Sequence, residues 1–189
     1  MHVSHPPPDA RTRILDAAEA IVHSRGVSGL TLDAAARDAG MSKGGLLYHF
    51  ASKEALLDAL LRRLAEYIER EYEACVAAQL PGPGRVARAE LEWGFGEGEL
   101  TCNERHDRAG AVFRAAFHHD PALLDPIRAV FARMRRDMAA DGLTPGIGEA
   151  IAAAGDGMFM ARMFRLYTPT EAERMAVRAA LSRLLEQAP

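Results

Sequence analysis

Residues 31–53 read TLDAAARDAGMSKGGLLYHFASK, and this stretch decides the fold. Thr31 and Ser42 each precede a short helix-forming run and are typical N-cap residues, while Gly40 is placed to end the first run. Two short helices joined by such a turn have the proportions of a helix-turn-helix unit. The second helix of such a unit can enter the major groove of DNA, so the stretch predicts a DNA-binding module.

The charge pattern of this stretch also favours DNA. No Asp or Glu lies between Asp38 and Glu54, and the two lysines of the chain, Lys43 and Lys53, flank the second helical pattern. The whole chain carries a formal net charge of −3, which excludes a protein coated in basic residues. We therefore expect a local, unopposed positive charge that faces phosphates.

The rest of the chain carries helix signals. Asp9 is placed to cap a first helix and Gly26 to end it. Ser52 opens a long helix that runs to about Ala78, and the segment LPGPG then breaks the pattern at residues 80–84. Further helices are predicted over residues 85–93, 103–118, 121–140, 147–167 and 170–186. Strand signals are absent from the sequence. We predict an all-α protein of about nine helices, with a three-helix helix-turn-helix head joined by a long helix to a larger C-terminal helical domain.

We expect three regions along the chain. Residues 1–8 are predicted to be a disordered lead-in, 9–52 a DNA-binding helix-turn-helix domain, and 53–189 a ligand-binding and dimerisation domain. The two cysteines, Cys75 and Cys102, do not suggest a disulfide framework in a chain of 189 residues. No signal-peptide core or run of ~18 to 20 apolar residues occurs. The expectation is a cytoplasmic protein with no membrane partner.

The second helix of the unit carries the candidate DNA contacts. Ser42 and Lys43 stand at its N-terminal end, where free N–H groups and the helix dipole favour anions. Gly44 and Gly45 follow, although each glycine costs roughly 1 kcal/mol relative to alanine inside a helix. A bare helix surface that faces a DNA backbone or base edge explains why that cost is tolerated.

Later residues of the same helix divide between contact and packing. Tyr48 and His49 bring hydrogen-bonding tips. Leu46, Leu47 and Phe50 have the spacing that pins the helix to the core of the head. Because one helix-turn-helix makes few contacts, a specific operator requires two half-sites and therefore a dimer.

A set of caps, glycines and lysines at fixed offsets runs through residues 10–60. It comprises Thr31-Leu32, Ala35-Ala36, Ala39-Gly40, Ser42-Lys43-Gly44, Leu46, His49-Phe50, Ser52-Lys53-Glu54 and Leu56-Leu57. This set resembles the N-terminal signature of the TetR/AcrR family of transcriptional regulators. The resemblance implies a homodimer, most commonly a repressor, that binds a palindromic operator and is released by a small-molecule effector in the C-terminal domain. It implies no cofactor, and DNA contacts at Thr31, Ser42, Lys43, Gly44, Gly45, Tyr48, His49 and Lys53.

Two features of the C-terminal region suggest further sites. A ligand cavity or a Met-rich core is predicted from Trp93, Phe95, Phe113, Phe117, Met158, Phe159, Met163, Phe164 and Tyr167. Many small residues over 146–157, followed by an apolar last helix, predict a four-helix dimer interface, with an intramolecular core helix as the alternative. The residues expected at that interface are Ile151, Ala154, Val177, Leu181, Leu184 and Leu185.

Three other classes of protein are metal sensors, enzymes and architectural DNA-binding proteins. Cys102 and His106 lie four residues apart, with His118 and His119 further on, so a metal-sensing repressor is a lesser alternative. No phosphate-binding loop follows a strand and no nucleophile elbow occurs, so we predict that the protein is not an enzyme. A ligand-independent architectural DNA-binding protein is the other alternative, and an apolar cavity with a few polar groups would favour the sensor over it.

Overall fold

The computed structural model describes residues 9–96, 110–114, 116, 120–164 and 166–187. All regular elements of these residues are helical, which confirms the all-α prediction. The α-helices are α1 (Ala10–Gly29), α2 (Leu32–Asp38), α3 (Lys43–His49), α4 (Lys53–Ala78), α5 (Arg85–Phe95), α6 (Asp125–Ala139), α7 (Ile147–Met163) and α8 (Glu171–Glu186), with a 3-10 turn at Pro121–Leu124 before α6. Helical residues at 110–114 and 116 fall within the predicted helix 103–118.

The turn between α2 and α3 is set by the residues that the sequence singled out. The Thr31 hydroxyl accepts a hydrogen bond from the N–H of Ala34 at 3.0 Å, and the Ser42 hydroxyl accepts one from the N–H of Gly45 at 3.1 Å. Gly40, just after α2, has a φ of 68°, the left-handed conformation that ends helices. Both short helices therefore begin and end as predicted.

The end of α1 differs from the prediction. Gly26 has a φ of 70° and a ψ of −179°, but the helix resumes after this kink and reaches Gly29. The Lys53 ammonium donates a hydrogen bond to the carbonyl of Val27 at 2.8 Å and so ties this last turn to the start of α4. Gly26 kinks the helix instead of ending it. The helix α7 also ends early, at Met163 instead of about Tyr167.

Backbone contacts divide the chain into two units, Met1–Leu64 with Arg108–Asp125 and Ala65–Asp107 with Pro126–Pro189. In the first unit, α2 packs on α1 and α3. Its core is apolar throughout and includes Ile14, Leu15, Ala18, Ile21, Val22, Leu30, Ala35, Leu46, Phe50, Leu57 and Leu61. Arg63 ties α4 to α1 through ion pairs with Asp16 and Glu19. The domain boundary expected between residues 52 and 53 stays a prediction.

The second unit is built around α5, which packs on α7 and α8. One apolar cluster joins them and includes Ala87, Leu91, Phe95, Met138, Ile151 and Ala152. The last part of α4 is held to α6 because the Tyr72 hydroxyl donates to the Asp137 carboxylate at 3.0 Å. Among the described residues, none of the helices has the length and apolar character that crossing a membrane requires.

Candidate nucleic-acid interface

One face of α3 is anchored and the opposite face is bare. Leu46 and Phe50 are buried in the first unit. Because successive residues of an α-helix are turned by about 100°, Gly44, Gly45 and Tyr48 lie on the opposite side. Tyr48 is 87% exposed. The helix therefore offers a smooth backbone strip next to one projecting phenol, a shape that fits against a groove or a sugar-phosphate backbone.

Packing within the chain gives no reason for the two glycines. A Cβ atom on Gly44 would meet only the Ser42 hydroxyl, at 4.0 Å, and one on Gly45 would meet the same atom at 3.4 Å. Both glycines are exposed and helical. Alanine would fit at either position and would favour the helix. Packing among the described residues therefore does not explain the two glycines.

Leu47 is a residue that sequence reasoning placed wrongly. It was expected to pin α3 to the core, but it is 42% exposed. A helix of seven residues buries a single stripe, and the pair Leu46 and Phe50 already fills it. The i, i+4 spacing of that pair was the signal that left Leu47 on the surface, beside Gly44. An exposed leucine at this place can make apolar contact with a thymine methyl group.

The expectation of unopposed charge is wrong for Lys43. Its ammonium group lies 3.0 Å from the carboxylate of Asp33, in the first turn of α2, and both side chains are exposed. An exposed pair of this kind is worth at most about 1 kcal/mol, so phosphates can displace it. Lys53 uses one donor on Val27, which leaves two N–H groups of its ammonium for other acceptors.

The remaining predicted contacts lie at the surface of the same unit. Thr31 and Ser42 are exposed, and each hydroxyl caps a helix. The His49 ring stands edge-on to that of Tyr48, with centroids 5.2 Å apart. The structure thus places Thr31, Ser42, Lys43, Gly44, Gly45, Tyr48, His49 and Lys53 along α2, α3 and the start of α4, and their role in DNA binding stays a prediction.

We expect Lys43→Ala to weaken DNA binding and to lower the slope of log affinity against log salt by about one. Asp33→Asn removes the competing carboxylate and is expected to tighten binding a few-fold. Fluorescence anisotropy with labelled duplex DNA over a series of salt concentrations measures both. An unchanged slope for Lys43→Ala would remove Lys43 from the interface.

The residues expected to line a ligand cavity are spread over several environments. Phe95 is fully buried in the apolar cluster of the second unit, and Met158 packs against that cluster. Trp93 and Phe159 are half-buried and Met163 is buried, whereas Phe164 and Tyr167 are exposed. Phe113 belongs to the first unit, and Phe117 lies outside the described residues. The cavity stays a prediction.

One of the expected dimer residues, Ile151, requires a correction. Ile151 is only 1% exposed in the single chain, so a partner finds no surface there to cover. Packing on the intramolecular cluster also uses part of the surface of Ala154, Val177, Leu181 and Leu185. Leu184 alone of the set is exposed. The small residues of α7 bring it close to α5 within one chain, and the dimer interface stays a prediction.

Glu90 is a polar residue that sequence reasoning missed. It lies on α5 between the buried residues Ala89 and Leu91, is not itself exposed, and makes no hydrogen bond or ion pair with a described residue. Burial raises the pKa of Glu90 to about 7, while Arg135 lowers it and Asp156 raises it further. Arg135 is itself paired with Asp156. The available signal was a Glu placed directly between the apolar residues Ala89 and Leu91.

We expect Glu90→Gln to stabilise the protein at pH 8. The folded pKa of about 7 lies above the ordinary 4.5, so the folded state loses stability as the pH rises from 4.5 to 7. The variant should therefore gain on the order of 1 to 3 kcal/mol above pH 7 and little near pH 4.5. Urea denaturation at several pH values measures this. Glu92→Gln, an exposed position on the same helix, is the control, and a gain independent of pH would contradict the assignment.

The suggested metal site is left without support. Cys102, His106, His118 and His119 lie outside the described residues. Within the described part of the chain, no group of three or more His, Cys, Asp or Glu side chains is arranged to hold a metal ion.

Comparison with known proteins points to one family. The model described as "Bacterial regulatory proteins, tetR family" matches residues 14–60, and the model "Tetracyclin repressor-like, C-terminal domain" matches residues 84–186. The regulator TtgR of Pseudomonas putida is 30% identical over 169 residues, which cover 89% of this chain and 74% of TtgR.

A shorter alignment and a structural likeness add to this. The regulator SrpR, also of Pseudomonas putida, is 38% identical over 82 residues, and the chain spans only 38% of the length of that relative. The multidrug binding protein EbrR, solved with malachite green, is similar with a TM-score of 0.60 and 27% identity, over 94% of this chain and 98% of EbrR. EbrR solved with ethidium gives the same TM-score at 28% identity.

Proposed function

Because the chain belongs to the TetR family of transcriptional regulators, we propose that it is a ligand-responsive repressor. It binds a palindromic operator as a cytoplasmic homodimer and leaves the operator when a small molecule enters the second unit. The relatives are transcriptional regulators, not enzymes. The observation that carries the proposal is the outward face of α3, where Gly44 and Gly45 are exposed without any packing reason to be glycine.

The DNA contacts follow from the position of each side chain. Gly44, Gly45 and Tyr48 form the surface that enters the major groove, with Leu47 at its edge. Lys43 exchanges Asp33 for a phosphate, and Lys53 offers its free donors to the backbone. The hydroxyls of Thr31 and Ser42 mark helix starts, where backbone N–H groups attract phosphate oxygens, and His49 stands next to Tyr48.

We propose a dimer surface that differs from the one predicted from the sequence, which included the buried Ile151. On α7 and its C-cap residue, a stripe of residues recurs alternately every three and four positions and is exposed: Ala150, Ala153, Gly157, Met160 and Phe164. This is the spacing that lets two helices pack along their length. Met160 and Phe164 are each 40% exposed, which is large for apolar side chains. We propose that the same stripe of a second copy covers them, with α8 alongside.

We expect Gly157→Glu to weaken the dimer on the order of 100-fold, about 2.7 kcal/mol, because it buries a charge in the proposed interface. No atom lies within 4 Å of the Cβ position at Gly157, so the single chain still folds. Analytical ultracentrifugation measures the dimer constant. Ala132→Glu, at an exposed position of α6, is the matched control. If both variants stay dimeric, the interface lies elsewhere.

The effector is proposed to act through α4. This helix starts at Lys53, beside the DNA contacts, and ends at Ala78 in the second unit. An effector releases DNA only if it binds more tightly to a conformation that cannot hold both half-sites. EbrR has been solved with malachite green and with ethidium, so we propose an aromatic small molecule for this chain as well.

Sequencing the genomic DNA that the purified protein retains tests the operator. We expect enrichment of one palindromic sequence, with loss of the enrichment for Gly44→Ala. A ligand-independent architectural protein would retain DNA without a preferred sequence. Release of the enriched DNA by a small aromatic compound then separates a sensor from an unregulated binder.

A further inference from the structure

Arg11, in the first turn of α1, places its charge at the end of α3. The central carbon of its guanidinium lies 5.3 Å from the centre of the Phe50 ring, which is within the range of a cation–π contact. Phe50 directly follows α3 and is buried in the first unit, whereas Arg11 is exposed. The positive charge therefore stands at the surface beside the C-terminal end of α3.

The guanidinium of Arg11 can still bind an anion. The carboxylate of Asp9 caps the first turn of α1, and the acidic residues further along that helix, Asp16 and Glu19, pair with Arg63 of α4. A contact with a ring needs no hydrogen-bond acceptor. Among the described residues, the N–H donors of Arg11 thus remain open to phosphate oxygens, which a guanidinium can bind through two parallel hydrogen bonds.

Lys43 and Arg11 mark the two ends of α3. Lys43 is the first of the seven residues of this helix, and Arg11 contacts the residue that follows the last one. Seven residues of α-helix are about 10 Å long, and the major groove of B-DNA is about 12 Å wide. Because phosphates border the groove on both sides, a helix of this length that enters the groove has a phosphate backbone within side-chain reach of each end.

We propose that Arg11 is a further DNA anchor, which binds a backbone phosphate at the C-terminal end of α3 while Lys43 binds one at the other end. This inference rests on the proposed DNA-binding function and adds a contact from α1, outside the helix-turn-helix unit. A phosphate contact carries no sequence information, so Arg11 supplies affinity and orientation, not sequence preference. The contact with Phe50 holds the guanidinium in place before DNA arrives, so less side-chain freedom is lost on binding.

Arg11→Met and Arg13→Met test the anchor as a matched pair. Both residues are exposed on α1 and both variants lose one positive charge, but Arg13 is turned by about 200° from Arg11 around the helix. Fluorescence anisotropy with labelled operator over a series of salt concentrations measures each affinity. We expect Arg11→Met to lower the slope of log affinity against log salt by about one and to weaken binding on the order of fivefold at about 0.15 M salt. Arg13→Met should keep the wild-type slope.

Two further variants separate the charge of Arg11 from its packing. Arg11→Lys keeps the charge and should restore most of the slope. Arg11→Met combined with Lys43→Ala should lower the slope by about two, because contacts at opposite ends of α3 act independently. The loss in Arg11→Met should be the same on duplex DNA of mixed sequence, since a phosphate contact does not depend on the bases.

An unchanged slope in Arg11→Met, even with weaker binding, would overturn the anchor and mean that Arg11 only steadies the end of α3. An equal change of slope in Arg13→Met would overturn it as well, because net charge would then explain the effect. The proposed function fails by a different result. A wild-type protein that binds operator and mixed-sequence DNA equally would contradict operator recognition, while the slopes on mixed-sequence DNA would still decide the role of Arg11.

Discussion

Gly44→Ala is expected to weaken operator binding on the order of 100-fold, about 2.7 kcal/mol, while it makes the free protein more stable. The two effects have opposite signs because they arise in different states. In the free protein the added methyl group meets only the Ser42 hydroxyl, at 4.0 Å, and alanine favours a helix by up to about 1 kcal/mol over glycine. On DNA the same methyl group stands between α3 and the groove and holds the helix away.

Two measurements on the same variant separate these states. Urea denaturation gives the stability, and anisotropy with the enriched operator gives the affinity. Gly155→Ala is the matched control, since Gly155 is also helical and a Cβ atom there has no neighbour within 4 Å. The control should gain stability and keep its affinity. If Gly44→Ala also keeps its affinity, the outward face of α3 does not meet DNA.

The parts of the fold that the sequence predicted are local in the chain. The caps at Thr31 and Ser42 involve residues three positions apart, and the break at Gly40 depends on one backbone conformation. Such features depend on a few neighbouring residues, so they can be predicted without knowledge of the tertiary structure. The family resemblance rested on the same local pattern, which explains why it covered the head and not the second unit.

The misplaced residues all depend on contacts between distant parts of the chain. Lys43 looked unopposed because its partner, Asp33, lies ten residues earlier on another helix. Ile151 looked available because a small-residue helix suits a dimer and a core equally, and only its packing against α5 decides between them. Glu90 drew no attention because its burial comes from helices far along the chain. Helical periodicity predicts the face of the helix on which a residue lies, but not which other helix packs against that face.

Asp141→Ala is expected to cost about 3 kcal/mol of stability, a large share of the roughly 5 to 15 kcal/mol typical of a folded domain. Gly84 precedes α5 and provides no side-chain cap. The carboxylate of Asp141 caps the helix instead, by accepting hydrogen bonds from the N–H groups of Val86 at 2.9 Å and Ala87 at 2.8 Å. Asp141 is only 8% exposed, so alanine leaves the N–H groups of the half-buried Val86 and the buried Ala87 without acceptors.

The same cap should also affect the fluorescence of the chain. The sole tryptophan of the chain, Trp93, lies on α5, so its emission should shift to longer wavelength if the start of that helix loosens in Asp141→Ala. Asp9→Ala removes an exposed cap from α1 and should cost only about 1 kcal/mol without changing Trp93. Equal costs for the two variants would mean that water satisfies the N–H groups in the first turn of α5.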